Sequence, residues 1–130
     1  MTDEELLAKA VEAAEGSYSP YSHFRVGAAI VTNDGSVVTG ANVENAAFGA
    51  SICAEANAIS SAIARGATSV STVAVACLDG EPCTPCGNCR QIMREFGVAR
   101  VILRTPDDAP HAVNLEDLLP MSFGPESLNT

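Results

Sequence analysis

Two short motifs, Cys53-Ala54-Glu55 and Pro85-Cys86-Gly87-Asn88-Cys89, constrain the fold of this chain more than any other feature. Together they supply three thiolates and one carboxylate. The two-residue gap in the second motif lets both of its sulfurs bind one ion, as is common in zinc sites. If Cys53 is the third ligand, two distant segments must meet at one metal, and the fourth zinc position stays open for water. The motifs therefore predict a catalytic three-cysteine zinc site.

Glu55 follows Cys53 by two residues, so it lies near the expected metal but faces a different direction in the first turn of a helix. Zinc lowers the pKa of a bound water toward ~7, which makes hydroxide available. We expect Glu55 to take the released proton, pass it to a ring nitrogen and later protonate the departing amine. One carboxylate thus acts first as base and then as acid, as hydrolytic deamination requires. Zinc nucleobase deaminases use this combination of ligands and carboxylate.

The two other cysteines leave alternatives open. Cys83 continues the second motif as a C-x-x-C-x-x-C run, so a closed four-cysteine site is the competing interpretation, and it would leave no position for water. An iron–sulfur site is weaker, because the next cysteine it requires is replaced by Met93. Cys77, within an apolar segment, is predicted to be a small core residue. An odd cysteine count without a secretory signal argues against a disulfide framework.

Size and charge limit the classes of partner. A chain of 130 residues is enough for one compact domain, which we expect to span residues 1–130. Seven basic and 16 acidic residues give a net charge of −9, which repels phosphate backbones. We therefore expect a small neutral substrate and no nucleic acid. The apolar runs are too short to cross a membrane, and the acidic N-terminus lacks the start of a signal peptide, so a cytoplasmic location is expected.

Hydrophobic periodicity and turn signals predict a mixed sheet with helices on both faces, a three-layer α/β/α sandwich. The predicted elements, in order, are a helix from the N-cap Thr2 to near Gly16, strands at 24–30 and 36–43 joined by the turn Asn33-Asp34-Gly35, a helix at 52–65, a strand at 70–78, a helix from 85–87 to about 96, a strand at 100–104 and a short helix at 115–119.

This order of elements places Cys53 in the first turn of one helix and Cys86 and Cys89 at the start of another. Three thiolates make the zinc site negative, which alone would make its water less acidic. The partial positive charge at each helix start, roughly half a unit, offsets part of this charge. Arg90 is expected to add a full positive charge or hydrogen bonds to sulfur.

Over nearly its whole length the chain resembles the small homotetrameric cytidine deaminases of the three-cysteine type. The matching segments are Pro20-Tyr21-Ser22, Phe24-Arg25-Val26-Gly27-Ala28-Ala29, Gly40-Ala41-Asn42-Val43-Glu44-Asn45, Cys53-Ala54-Glu55, Pro85-Cys86-Gly87-Asn88-Cys89-Arg90-Gln91, Leu118-Leu119-Pro120 and Phe123-Gly124-Pro125. The resemblance implies one Zn²⁺ per subunit. The implied reaction is deamination of cytidine and 2′-deoxycytidine to uridine, deoxyuridine and ammonia in pyrimidine salvage.

The resemblance also implies roles for individual substrate-binding residues. Phe24 would stack on the pyrimidine, and the backbone of Ala54 would donate to the base carbonyl. Asn42 and Glu44 share one face of an extended segment and would hold the sugar hydroxyls. The C-terminal aromatic Phe123 would reach the site of a neighbouring subunit. From the residues alone, core packing for Phe24 and strand-end hydrogen bonding for Asn42 remain open.

The chain departs from the resemblance at two positions. Ala56 stands where the three-cysteine branch usually has an arginine that balances thiolate charge, so Arg90 and the helix dipoles would have to supply that balance. Phe48 stands where the family often has tyrosine, so a hydroxyl contact between subunits would be lost. Neither change removes a reacting group.

Two other functions compete with cytidine deamination. A deaminase of a cytosine-containing antibiotic of the blasticidin type shares the Cys-Ala-Glu and Pro-Cys-Gly-x-Cys motifs and also lacks arginine after the glutamate. The intact Phe24 and Asn42–Asn45 segments favour an ordinary nucleoside instead. A non-enzymatic zinc module predicts four protein ligands and no activity.

Overall fold

The structure is a computed structural model that describes residues 1–80 and 83–128. Its elements are α1 (Asp3–Ala14), β1 (Val26–Thr32), β2 (Val37–Ala41), a 3-10 turn (Phe48–Ala50), α2 (Ala54–Ala64), β3 (Val70–Cys77), α3 (Gly87–Glu95), β4 (Arg100–Arg104), β5 (Pro110–Asn114), α4 (Leu115–Leu118) and a second 3-10 turn (Pro125–Leu128).

The strands form one five-stranded sheet in the order β2-β1-β3-β4-β5. The β3–β4 pair is parallel and the other three pairs are antiparallel. Parallel strands need a crossover connection, and α3 forms part of the segment that links β3 to β4. The sheet is therefore mixed, as the sequence predicts.

The two faces of the sheet bury separate sets of side chains. Ala28 and Ile30 of β1 face a core that includes residues of α2 and α3, with Val26 packed against it. Ala29, between them, faces the core formed with α1. This alternation follows from the period of two in a strand. The predicted three-layer α/β/α fold is confirmed.

Thr2 is the N-cap of α1, as the sequence predicts. The Thr2 hydroxyl accepts a hydrogen bond from the Glu5 backbone N–H at 3.1 Å, and the Glu5 carboxylate accepts one from the Thr2 backbone N–H at 3.1 Å. This reciprocal capping box satisfies two donors that a helix start leaves free.

Strand β5 was not predicted from the sequence. The region after β4 carries Asp107 and Asp108 in an exposed turn, and the chain then pairs antiparallel with β4 from Pro110 to Asn114. A proline at the first position of an edge strand needs no partner for a backbone donor, so it is compatible with this pairing. Most of the strand is exposed, which is why its sequence lacks an apolar alternation.

Within the described ranges, no helix combines the length and the apolar character needed to cross a lipid bilayer.

Candidate metal centre and active site

Three cysteine sulfurs converge where the starts of α2 and α3 meet. Cys53 is the N-cap of α2, Cys86 is the N-cap of α3, and Cys89 lies in the first turn of α3. Their Sγ atoms lie within 4.8 Å of one another, and those of Cys53 and Cys86 are 3.9 Å apart. Two sulfurs that bind one tetrahedral zinc at about 2.3 Å are separated by roughly 3.8 Å. The spacing and the donor atoms therefore fit one Zn²⁺.

Helix starts suit this donor set electrostatically. Neither N-cap cysteine makes a side-chain capping bond, so these side chains do not satisfy the free backbone N–H groups of the two first turns. Their partial positive charge favours thiolate over thiol. In the metal-free protein, hydrogen bonds from Cys89 and Cys86 lower the pKa of Cys53 to about 6, whereas the bond to Cys53 and burial raise the pKa of Cys89.

Glu55 is the only buried charged residue in the described part of the chain, with 4% of its surface exposed. It lies in the first turn of α2, two residues beyond Cys53. Burial raises the pKa of this carboxyl to about 7, and the nearby Cys53 thiolate acts in the same direction. A carboxyl group that titrates near neutral pH can both accept and release a proton.

Two adjoining pockets open next to these groups. The smaller, of about 180 Å³, is lined by Phe24, Ala54, Glu55 and the sulfur-bearing residues Cys53 and Cys86. The larger, of about 410 Å³, is mostly apolar. Both contact Asn42 and Cys53, so they form one continuous depression. The Glu55 carboxyl and the sulfur-bearing residues Cys53 and Cys86 line the smaller pocket, which is therefore the candidate reaction site.

Asn42 and Glu44 are already held by the protein. The Asn42 side chain accepts from the Ser17 hydroxyl at 2.5 Å and the Val26 backbone N–H at 3.0 Å, and it donates to the Phe24 carbonyl at 2.9 Å. Because that donation uses one of two amide hydrogens, the other remains available to a ligand. The expected strand-end bonding of Asn42 thus coexists with a place in the pocket wall.

Glu44 accepts hydrogen bonds from the backbone of Tyr21 and Ser22 and from the Ser22 hydroxyl. These bonds, the Ser22 hydroxyl first, lower the pKa of Glu44, so the carboxylate remains ionised. Ser17 and Ser22, which orient Asn42 and Glu44, were not predicted from the sequence. Their positions in the segment before β1 carry no local signal for these long-range bonds.

Comparison with known proteins agrees with this geometry. Residues 1–105 match a family model described as the cytidine and deoxycytidylate deaminase zinc-binding region. The chain belongs to this deaminase family. The resemblance found in the sequence is thereby confirmed, and a zinc-binding region agrees with the three converging sulfurs.

Relatives of this deaminase chain cover almost its whole length. It is 41% identical over 126 residues to the cytidine deaminase of Halalkalibacterium halodurans, covering 95% of this chain and 96% of the relative. It is 41% identical over 125 residues to the cytidine deaminase of Mycobacterium tuberculosis, covering 95% and 90%. The crystal structure of cytidine deaminase from Burkholderia pseudomallei superposes with a TM-score of 0.87 at 43% identity, covering 95% of this chain and all of that one.

Arg90 of this deaminase chain was expected to add a full positive charge or hydrogen bonds to sulfur, and the structure corrects the second of these expectations. Its guanidinium donates to the backbone carbonyls of Pro85 and Leu118, each at 2.8 Å. In the described structure its hydrogen bonds therefore go to carbonyl oxygens and not to sulfur. Arg90 thus joins the segment before Cys86 to α4.

The expectations for the other two cysteines need correction. Cys77 is buried at the end of β3, as predicted, but it forms a disulfide with Cys83, with a Cα–Cα distance of 5.7 Å. A pair six residues apart is not a framework of the secreted type, so the cysteine count gave no signal for it. Because Cys83 is bonded to Cys77, it is not available as a fourth zinc ligand.

Phe123 lines neither of the two pockets of its own chain and remains 58% exposed. The Gln91 amide donates to the Phe123 carbonyl at 2.8 Å, and the Arg94 guanidinium donates to the Ser122 hydroxyl at 2.9 Å. Helix α3 thus fixes the C-terminal segment while leaving the aromatic ring on the outside.

Proposed function

We propose that this protein is a zinc-dependent cytidine deaminase that converts cytidine and 2′-deoxycytidine to uridine, deoxyuridine and ammonia. The observation that carries the proposal is a buried carboxylate, Glu55, in the wall of a pocket where three cysteine sulfurs converge. Relatives called cytidine deaminases, at 41% identity over most of the chain, support the same reaction.

The proposed ligands of the single Zn²⁺ are Cys53, Cys86 and Cys89. When bound, zinc supplies a Lewis acid that lowers the pKa of water toward ~7 and so provides the nucleophile at neutral pH. A three-cysteine ligand set leaves room for this water, since Cys83 is held by Cys77.

Glu55 is the proposed catalytic residue. Its carboxylate accepts a proton from the attacking water and transfers it to the ring nitrogen next to the amino-bearing carbon. Glu55 then takes the remaining proton of the hydroxyl group newly added to that carbon and gives it to the amino group as the carbon–nitrogen bond breaks, so that ammonia and the keto base are formed. The pKa near 7 that burial gives this carboxyl suits both directions of transfer.

The substrate would lie across the two pockets. Phe24 borders the smaller pocket and is only partly buried, so its ring is free to stack on the pyrimidine. Ala54, the first residue of α2, has a backbone N–H without an intrahelical acceptor, which can donate to the base carbonyl. The remaining amide hydrogen of Asn42 and the Glu44 carboxylate are the proposed partners of the sugar hydroxyls.

The net charge favours an uncharged substrate. A chain of charge −9 with an ionised Glu44 in its pocket repels a phosphate group, so a free nucleoside is preferred over a nucleotide or a polynucleotide. The antibiotic-deaminase alternative is not favoured, because relatives that cover nearly the whole chain are cytidine deaminases.

We further propose one deaminase domain over residues 1–130, a homotetramer and a cytoplasmic location. The exposed aromatic rings of Phe48 and Phe123 support subunit contacts. Three reduced thiolates for zinc suit a compartment that keeps thiols reduced. Light scattering of the purified protein and fractionation of cells that express it would check the last two proposals.

The test is turnover of cytidine, 2′-deoxycytidine, cytosine and blasticidin S by zinc-loaded protein, followed by ultraviolet absorbance. We expect turnover of both nucleosides and little of the other two compounds. The Glu55→Gln variant should retain zinc and lose activity by about 10²–10⁴-fold, the usual contribution of general acid–base catalysis. Glu12→Gln, an exposed position on α1, is the matched control and should behave like wild type.

A protein that binds one zinc through its cysteines but leaves both nucleosides unchanged would refute the proposal and favour a zinc module without activity. Turnover of blasticidin S alone would instead support the antibiotic deaminase.

A further inference from the structure

The nucleoside pocket contains a disulfide that the proposed chemistry does not use. Cys77 and Cys83 both line the smaller pocket, together with Phe24, Glu55 and Cys86. Their Cα–Cα distance of 5.7 Å lies in the middle of the range of about 4.4–6.8 Å over which cysteines can be bridged without backbone movement. A disulfide therefore forms part of the wall of this pocket.

The two cysteines lie in segments that the rest of the protein holds in place to different degrees. Cys77 ends the central strand β3, where it pairs with Val26, and its carbonyl accepts from the Arg104 guanidinium at 3.1 Å. Cys83 lies in irregular chain, three residues before the proposed ligand Cys86. The disulfide is therefore a second covalent link, besides the main chain, between the end of β3 and the segment that leads to Cys86.

The segment that follows Cys83 is held independently of the disulfide, by residues of α3. The Pro85 carbonyl is held by Arg90, and Cys86 and Cys89 are tied to α3. Loss of the disulfide would therefore free the pocket wall at Cys83 and Thr84 while the metal ligands keep their helix. A preorganised wall lowers the entropy that binding costs, so freeing it should weaken substrate binding more than it changes chemistry.

We propose that the Cys77–Cys83 disulfide is a positioning element of the nucleoside pocket, so that its reduction weakens substrate binding without releasing zinc. This inference rests on the proposed deaminase function. Substrate affinity then depends on the redox state of the surroundings, which fits the general finding that disulfides in reducing compartments are usually redox-sensing or catalytic.

The chemistry is ordinary thiol–disulfide exchange with a low-molecular-weight thiol. A thiolate of that compound attacks one sulfur of the disulfide and forms a mixed disulfide, which releases the other cysteine as a thiolate. A second molecule of thiol then displaces the first cysteine. The products are two protein thiols and one low-molecular-weight disulfide, and the reverse sequence reoxidises the protein.

The first experiment determines the bond itself. Zinc-loaded protein is equilibrated with a low-molecular-weight disulfide, then denatured, alkylated without reductant and cleaved on the N-terminal side of aspartate. Cleavage before Asp79 separates Cys77 from Cys83 in sequence, so only a disulfide keeps the two peptides together. We expect one linked pair and alkylation of Cys53, Cys86 and Cys89. Alkylation of all five cysteines, or a link to Cys86 or Cys89, would overturn the proposal.

The second experiment compares kinetics of the oxidised and reduced wild-type protein at equal zinc content. We expect reduction to raise KM for cytidine about tenfold with kcat changed less than about twofold, because loosening a binding wall acts mainly on affinity. Cys77→Ala and Cys83→Ala should each show the higher KM in both redox states. If either variant fails to fold, the comparison of oxidised with reduced wild-type protein still tests whether the disulfide affects KM.

Equal KM values for oxidised and reduced protein would refute the positioning role and leave the deaminase function standing. Absence of turnover in both states, with the linked peptide present, would refute the deaminase function instead. Loss of zinc on reduction would show that the disulfide supports the metal site and would also refute the proposal.

Discussion

Glu55 is a carboxyl group that folding removes from water, so the fold is less stable when this group is ionised. Its pKa is about 7 in the folded metal-free protein, against an ordinary value of 4.5 in the unfolded chain. Below pH 4.5 the Glu55 carboxyl is protonated in both states, so its contribution to the free energy of unfolding is fully present. That contribution is lost as the pH rises toward 7, because the unfolded chain then releases the proton while the folded protein still holds it. The shift corresponds to at most about 3 kcal/mol of the free energy of unfolding.

The direction of this pH dependence can be measured with chelator-treated protein. We expect wild type to lose stability relative to Glu55→Gln as the pH rises from 5 to 8, by up to about 3 kcal/mol, because glutamine is never ionised. Chemical denaturation of both proteins at each pH gives the difference. Titration of Cys53 occurs in both proteins and cancels to first order. A difference that does not change with pH would contradict the burial of Glu55.

At the scale of residues, the sequence predicted the positions of the residues that lie close together within short motifs. The positions of Cys53, Glu55, Cys86 and Cys89 follow from two motifs, because each motif lies at a helix start. The disulfide partner of Cys77 and the carbonyl acceptors of Arg90 could not be predicted, because these contacts depend on how distant segments meet.

At the scale of elements, the approach of α2 to the sheet determines where Cys53 and Glu55 lie. A Cβ at Gly40 of β2 would lie 2.7 Å from the Ala58 backbone nitrogen and 2.8 Å from the Ala54 carbonyl oxygen. Neither backbone atom can give way without moving the helix. Gly27 of β1 has the equivalent role on the opposite face, where a Cβ would overlap the backbone of α1 at Ala10 and Ala14.

These two glycines form a matched pair of substitutions. Gly40→Ala should cost about 1–3 kcal/mol of stability through overpacking and also lower kcat/KM at least about tenfold, because it shifts the helix that carries Glu55. Gly27→Ala should lose comparable or more stability but keep the kcat/KM of the folded protein, since α1 lies on the other face. Thermal unfolding and kinetics below the unfolding range would measure both. If Gly40→Ala keeps the wild-type kcat/KM, the position of α2 against the sheet does not control the site.

The sequence predicted the helices and four strands to within a few residues, because their apolar periodicity and capping signals are local. It did not predict β5, whose pairing with β4 is a property of the edge of the sheet. The close approach at Gly27 and Gly40 was likewise not predicted, although glycine inside a strand often marks a place where another backbone comes close.

At the scale of the whole molecule, the position of Phe123 is incompatible with a role in its own site. The ring is 58% exposed outside both pockets, while Gln91 and Arg94 fix the surrounding backbone. Phe48 is 75% exposed and packs edge-to-face on Tyr21, with a distance of 6.0 Å between ring centroids. Apolar rings held on the outside by ordered backbone favour contact with another subunit.

If Phe123 completes a neighbouring site, mixed oligomers should recover activity that neither parent has. We expect Glu55→Gln to be inactive, and Phe123→Ala to be weak at low cytidine concentration. In a randomly mixed oligomer of equal parts, about half of the sites that retain Glu55 should regain Phe123 from an adjacent chain, so activity per Glu55 should approach half of wild type. Glu55→Gln mixed with wild type controls for dilution, and light scattering verifies the assembly. A mixture with only the summed activity of its parents would place Phe123 outside any shared site.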